Sequence, residues 1–287
     1  MSKSKKHHYI PQFFIRNFTD NDGLLYVYNK DKDQIVKYKQ SPKGLFFEND
    51  RNTVDFSGHQ LDNLESMYSA LDSTIAKDYL NVLKTETVTP EELISITLLA
   101  NMLRWRVPKS DTRFNEIKTD LSQEQLNIKI TVKDKGLQID PKALEHIEGS
   151  DIFIEGKRIL LSILPLLNQQ KVLEIHNSSF ININSLFPSL IGDSHVVFED
   201  ESDFNAISNF ILPLSSEKTF IYKQDSKGEV NNILFFFHRD LSIIHHSQKY
   251  VGCRSLNHLE KIVTMYRQVK AEGRLEDVEK FAFNFIK

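Results

Sequence analysis

Thr89-Pro90-Glu91-Glu92 and Pro108 bracket one helix from both ends, and no other stretch of the chain restricts its own fold so tightly. Thr89 can accept from a backbone N–H of the first turn while Glu92 reaches back to the N–H of Thr89. Pro90 at the first helical position gives up only an N–H that has no helical partner there. The residue before Pro108 is disfavoured in helical geometry, so the helix stops there. Leu93, Ile94, Leu98, Leu99, Met102 and Trp105 give it a broad apolar face. An earlier stripe, Leu61, Leu64, Tyr68, Leu71 and Ile75, recurs at three and four residues and predicts a helix from residue 57 onward. The two helices are expected to pack as an antiparallel pair.

Upstream, Leu24-Leu25-Tyr26-Val27-Tyr28 and Ile35-Val36-Lys37-Tyr38 flank a polar turn and read as a small hairpin, ended by Pro42 and Gly44. Downstream, residues 111–150 are more charged and less periodic, with alternation over 128–132 and a short helix over 141–146, the pattern of an insertion. A helix follows through Ile159, Leu160 and Leu161, kinked or ended by Pro165. Strand patterns then occupy 172–175, 180–183, 196–198, 209–212, 219–222 and 232–237. Leu256, Leu259, Ile262, Val263, Tyr266 and Val269 mark a late helix, with Asn257 and Glu260 spaced as a capping box, and residues 275–286 a terminal one. The reading is an α+β fold: an N-terminal element and small hairpin, a helical layer, and a C-terminal mixed or mostly antiparallel sheet with terminal helices. As a single domain over 1–287 it divides into 1–56, 57–110, 111–150 and 151–287.

Charge is near balance, 36 basic against 39 acidic residues, so no broad basic field draws the chain to nucleic acid or an anionic membrane, and such a contact must be local. A single cysteine, Cys253, excludes an internal disulfide. The opening lacks a secretory apolar segment, and apolar runs such as 233–237 fall far below a membrane-spanning length. A cytoplasmic protein with no membrane partner is expected. Twenty phenylalanines suggest an aromatic core.

The candidate chemistry begins in the opening, where a basic tail runs into His7, His8, Pro11, Phe13, Phe14, Arg16, Asn17 and Phe18. Adjacent histidines on a strand face opposite sides, so at most one reaches a given substrate or metal, and the other reading is one packed inside and one facing solvent. A histidine base needs a partner that sets its tautomer, and Asp55 and Asp193 are remote candidates. Arg16 and Asn17 among aromatics suit either a bidentate grip on phosphate or carboxylate or an internal salt bridge. Arg104 and Arg106 flank Trp105 at the carbonyl end of the bracketed helix, with Asn101 three residues before Arg104. That arrangement serves an anion site or simply complements the helix dipole.

His238, His245, His246, His258 and Cys253 lack structural-zinc spacing. His238 and Asp240 could share a site, although Asp240 reads more simply as a turn residue at a strand end. In Gly192-Asp193-Ser194-His195, neighbouring serine and histidine cannot readily form a nucleophile–base pair. No phosphate-binding glycine loop, dinucleotide loop or HExxH motif is present.

The segment HHYIPQFFIRNF, matching at His7, His8, Pro11, Gln12, Phe13, Arg16, Asn17 and Phe18, resembles a widespread, mostly bacterial family of uncharacterised proteins. The hairpin with Ser41-Pro42, and Arg104, Arg106 and Pro108, resemble it as well. That family commonly carries Ser-Asp-Asn-Pro before a valine strand; here only Asp193 and the strand at Val196-Val197 survive. Pro213-Leu214-Ser215 and Leu256-Asn257 continue the likeness. The resemblance supplies no activity, but family members near mobile-element or defence genes turn it toward a nuclease or nucleotide-directed reading.

The expectation is a protein that binds a phosphate-containing ligand, a nucleotide or nucleic acid, through Arg16, Asn17, Asn101, Arg104 and Arg106. If it is an enzyme, the reaction is phosphodiester hydrolysis, with His7 or His8 as base and Asp193 beside a divalent metal. The alternative is a non-catalytic structural or protein-interaction module whose polar opening locks the N-terminus onto the helices.

Overall fold

The computed structural model describes residues 6–56, 59–126, 128–131, 140–168, 172–173, 180–203, 207–224, 226–230 and 232–287. The opening forms β1 (Lys6–His8), one helical turn α1 (Gln12–Ile15) and a 3-10 turn at Arg16–Phe18. Phe14, Ile15 and Phe18 point into the core, so this terminus is anchored by apolar burial. Next come β2 (Tyr26–Asn29), β3 (Gln34–Ile35) and β4 (Phe47–Asn49), and β4 pairs antiparallel with β1, His8 opposite Phe47. A second small hairpin, β5 (Val54–Phe56) and β6 (His59–Leu61), precedes the helical layer.

That layer is α2 (Asn63–Lys84), α3 (Pro90–Arg106), α4 (Asp111–Ile117), α5 (Pro141–Glu148) and α6 (Asp151–Ile163). The start of α3 is the reciprocal cap its sequence calls for: Glu92 N–H donates to Thr89 Oγ1 at 3.3 Å and Thr89 N–H to Glu92 Oε2 at 2.8 Å. Trp105 joins Phe114, Leu121, Leu126, Leu161 and Leu164 in a separate apolar cluster, which packs the first part of 111–150 against the end of α3.

The strands β7 (Phe180–Asn184), β8 (Ile191–Gly192), β9 (Val197–Phe198), β10 (Phe210–Pro213), β11 (Lys218–Tyr222) and β12 (Tyr250–Cys253) complete two antiparallel sheets. Their orders are β7-β11-β10-β9 and β3-β2-β12-β8. Three helices, α7 (Leu234–His246), α8 (Leu256–Ala271) and α9 (Leu275–Asn284), cover them. The first sheet is buried on both faces: Phe210, Leu212, Phe220 and Tyr222 meet the core of α2 and α3, while Val197, Ile211 and Ile221 meet that of α7, α8 and α9. Strict alternation sorts these residues between two cores. Among the described residues no helix is long and apolar enough to cross a membrane.

Several elements differ from the sequence reading. Residues 232–237 were expected as a strand and instead open α7; a run of five apolar residues has no period that separates buried strand from buried helix. Asn232 Oδ1 accepts the N–H of Leu234 at 2.9 Å, which turns the chain into that helix. The helix expected from residue 57 starts at Asn63: residues 57 and 58 lie outside the described residues, and β6 takes 59–61. Of the expected second hairpin strand, residues 35–38, only Ile35 lies in the paired strand Gln34–Ile35, and Val36 adds one bond, its N–H donating to the Val27 carbonyl at 2.7 Å. The cap of α8 is Ser255, accepting from His258 N–H at 3.3 Å, and not the expected Asn257–Glu260 box. Residues 128–131 form no strand, and Val132 lies outside the described residues. In the expected strand 172–175, Val172 and Leu173 are helical and the rest lies outside the described residues.

Gly192 sits where β8 meets α7. A Cβ there would fall 2.0 Å from Ser247 Oγ and 3.0 Å from Ile243 Cγ2. Ser247 Oγ donates to the Ile243 carbonyl at 2.7 Å, so it cannot swing away without losing that bond. Gly192→Ala is therefore expected to cost about 1–3 kcal/mol by overpacking. The check is a denaturant midpoint, and a change under about 0.5 kcal/mol, the scale of a neutral surface substitution, contradicts it.

Candidate anion site

The last two turns of α3 are buried on all sides, which sends Arg104 and Arg106 to opposite neighbours. Arg106 points at α2: Nη1 donates to both oxygens of Asp72 at 3.0 Å, and the guanidinium lies 4.4 Å from the Tyr68 ring centroid. Burial raises the Asp72 carboxyl, and the Arg106 charge and hydrogen bonds oppose that rise. This arginine is used internally.

Arg104 is only 6% exposed, and what it meets is backbone. Nη2 donates to the Glu201 carbonyl at 2.6 Å and lies 3.4 Å from that of Asp203, with the Phe198 ring 5.1 Å away. Nε and Nη1 have no acceptor among the described residues. Burial, reinforced by the nearby Arg113 charge, lowers its pKa to about 10 even though Glu201, Asp203 and Asp200 pull the other way. The group stays protonated near neutrality, and its surroundings compensate the charge incompletely.

Opposite Arg104 is the turn that begins at Gly192. Asp193 holds it in place: Oδ1 accepts from Gln248 N–H at 2.6 Å, and Oδ2 from Lys249 and Tyr250 at 2.6 and 2.9 Å. Burial raises this carboxyl despite the three N–H donors. Nearby, Lys30 caps the end of α7 through the carbonyls of Ile244, His245 and Ser247. His195 is buried edge-on to Phe14 and Phe18, each ring centroid 5.1 Å away, so the aromatic opening segment forms its wall. Its Nε2 lies 2.7 Å from the Pro213 carbonyl, which can only accept, so Nε2 carries the proton in the neutral ring. Nδ1 is left as an acceptor with no partner among the described residues. Burial lowers the His195 pKa to about 4.

Between these elements is a cavity of about 120 Å³ lined by Arg104, Lys109, Arg113, Ser194, His195 and Glu201, among others. Lys109 Nζ contacts His246 Nδ1 at 2.8 Å and Glu201 Oε1 at 3.4 Å, and Arg113 Nη2 donates to the Ser202 carbonyl at 2.7 Å. Three cationic side chains thus share the lining with one carboxylate.

The remaining sequence candidates lie elsewhere. His7 is buried, its Nδ1 accepting from Asn52 N–H at 3.0 Å. His8 is half-buried, 3.3 Å from Gln12 Nε2, and burial lowers its pKa. Arg16 is exposed, and its Nη2 donates to Gln12 Oε1 at 3.5 Å. Asn17 ties the opening to the body, donating to the Phe13 carbonyl at 2.8 Å and accepting from Ser216 N–H at 3.0 Å. Asn101 is buried with Nδ2 unpartnered among the described residues and does not line the cavity. The expected meeting of His7 or His8, Arg16 and Arg104 around one cavity therefore does not occur: of these, only Arg104 lines it. Asp193, expected beside a metal, has its oxygens taken up by backbone N–H groups. Among the described residues no group of three or more His, Cys, Asp or Glu is placed to hold a metal ion. Lys109 and Arg113 were missed, though the sequence held a signal in the basic spacing of Arg104, Lys109 and Arg113 across Pro108. In the sequence His195 stands out only as the neighbour of Ser194.

No curated protein and no solved structure matches the chain. One family does, across residues 6–245, a span that holds the anchored opening, the whole of α3 and every cavity residue named above. By that match the chain belongs to the family described as protein of unknown function (DUF4238).

Proposed function

We propose that this protein binds a phosphate-containing ligand, with one phosphate group seated in the cavity between the end of α3 and the Gly192–His195 turn. The observation that carries this reading is Arg104: a buried cation whose Nε and Nη1 lack acceptors among the described residues. Burying an incompletely paired charge costs several kcal/mol, and a bound oxyanion would offset that cost through charge-assisted hydrogen bonds. Lys109 and Arg113 add positive charge in the same lining. At about 120 Å³ the space suits one phosphate group, well below the several hundred Å³ of pockets for drug-sized ligands. Any nucleoside or nucleic-acid remainder would lie outside it. The reading is one of binding rather than hydrolysis, since neither His7, His8 nor Asp193 lines the cavity.

The test is calorimetric titration with inorganic phosphate and thermal melting, on the parent chain and on Arg104→Met. Phosphate at about 100 times its Kd is expected to stabilise the parent by about 2.7 kcal/mol. Arg104→Met is expected to remove that response while staying within about 1 kcal/mol of the parent's own stability, because an apolar side chain replaces an underpaired charge. A variant with an unchanged phosphate response, or a parent with none, refutes the proposal.

A further inference from the structure

Resting on that reading, we infer that the site selects a protonated oxyanion, a hydrogen phosphate or the terminal phosphate of a monoester, over sulfate and over a phosphodiester. The cavity is not uniformly a donor surface. Arg104, Lys109 and Arg113 donate, but two of its lining groups accept: His195, whose Nδ1 has no partner among the described residues, and the carboxylate of Glu201.

The His195 tautomer follows from geometry, because the Pro213 carbonyl 2.7 Å from Nε2 leaves the ring proton no other place in the neutral form. A buried acceptor left empty is unfavourable, and an anion oxygen brought against a bare lone pair makes it worse. A ligand that supplies an O–H satisfies the acceptor and relieves the contact with Glu201. Inorganic phosphate still carries such a proton at neutrality, and a monoester, whose second ionisation is close to pH 6, carries one on about half of its molecules at that pH. Sulfate and phosphodiesters carry none there. Size does not separate sulfate from phosphate, and the cationic lining alone favours the doubly charged sulfate, so a preference for phosphate over sulfate must come from the acceptors.

The experiment is titration of the full chain at pH 6 with inorganic phosphate, methyl phosphate, sulfate and dimethyl phosphate. A site built around a ligand hydroxyl rejects analogues lacking it, so sulfate and dimethyl phosphate are expected to bind at least about tenfold more weakly than phosphate. Methyl phosphate binding as well as phosphate supports the inference with a terminal phosphate of a larger molecule as ligand. Rejection of methyl phosphate along with sulfate supports it with free phosphate as ligand.

Sulfate binding within about threefold of phosphate overturns the selection while leaving the anion site standing. Failure of all four anions removes the site and the selection together. His195→Asn, whose amide can turn a donor toward the anion, is expected to close the gap between sulfate and phosphate. Because that variant also loses the bond to Pro213, the parent is followed in parallel by ¹⁵N NMR. The Nδ1 resonance of His195 should move to a hydrogen-bonded value with phosphate and stay in place with sulfate. An Nδ1 signal indifferent to phosphate overturns the assignment.

Discussion

Replacing Asp240 by alanine is expected to lower the unfolding free energy by about 3–5 kcal/mol, the cost of stranding a buried charge. Arg239 and Asp240 are both fully buried, and their side chains meet in two hydrogen bonds, Nε to Oδ1 at 2.9 Å and Nη2 to Oδ2 at 3.1 Å. Arg239 Nη1 donates to Ser185 Oγ and Thr219 Oγ1, both at 2.8 Å, which ties α7 to the first sheet. On the other side His258 Nε2 lies 2.8 Å from Asp240 Oδ2, and Leu190 N–H donates to Oδ1 at 3.3 Å. Burial alone would raise this carboxyl, but Arg239 and His258 together hold it below the usual range. Alanine leaves a guanidinium and an imidazole in the core without their shared acceptor. A denaturant titration reads the loss directly, and a value under about 1 kcal/mol would show that Arg239 finds another partner. The sequence offers His238 and Asp240 as a shared site, or more simply Asp240 as a turn residue at a strand end, and the structure places both within α7. On the helix that actually forms, His238 packs instead against Phe281 and Phe285, with ring centroids 5.7 and 5.2 Å away.

Acidification supplies the second large effect. His195 stays neutral in the folded protein down to about pH 4, whereas an unfolded histidine takes up its proton near 6.5. Between those values the unfolded chain binds more protons, so the folded state loses stability as pH falls through the window. The His195 contribution is fully present above pH 6.5, and about 3 kcal/mol is lost by pH 4. His8 and His238 shift in the same direction, both through burial. Asp193 and Asp72 oppose them: burial raises both carboxyls, so the folded state holds their protons more tightly in acid. Asp240 lies outside the window, because its lowered carboxyl gives up stability only at more acidic pH. Denaturant midpoints at half-unit steps from pH 7 to 4.5 should fall steadily, with a shallower fall in His195→Gln. A flat profile would mean that the buried imidazole gains its proton without cost.

The fold class and most helices were legible in the sequence because their determinants are local. Thr89, Glu92 and Pro108 act on the backbone within a turn of themselves, and the stripe from Leu256 to Val269 needs only helical spacing to show a buried face. The strands at Phe180–Asn184, Phe210–Pro213 and Lys218–Tyr222 were similarly visible. Residues 232–237 were not, because an unbroken apolar run fits either structure until its neighbours are known.

Partner choice was what only the tertiary structure decided. Two arginines two residues apart on one helix meet opposite environments: Arg106 finds the carboxylate of Asp72, while Arg104 finds carbonyls and a cavity. Asp193 carried the chemistry of a metal ligand until distant N–H groups at 248–250 claimed its oxygens, and β2 found its neighbour in β12 at the far end of the chain. The physical reason is range. Capping and periodicity act over a few residues of sequence, whereas the charge state and availability of a side chain depend on which surfaces enclose it, and those arrive from segments far apart in the chain.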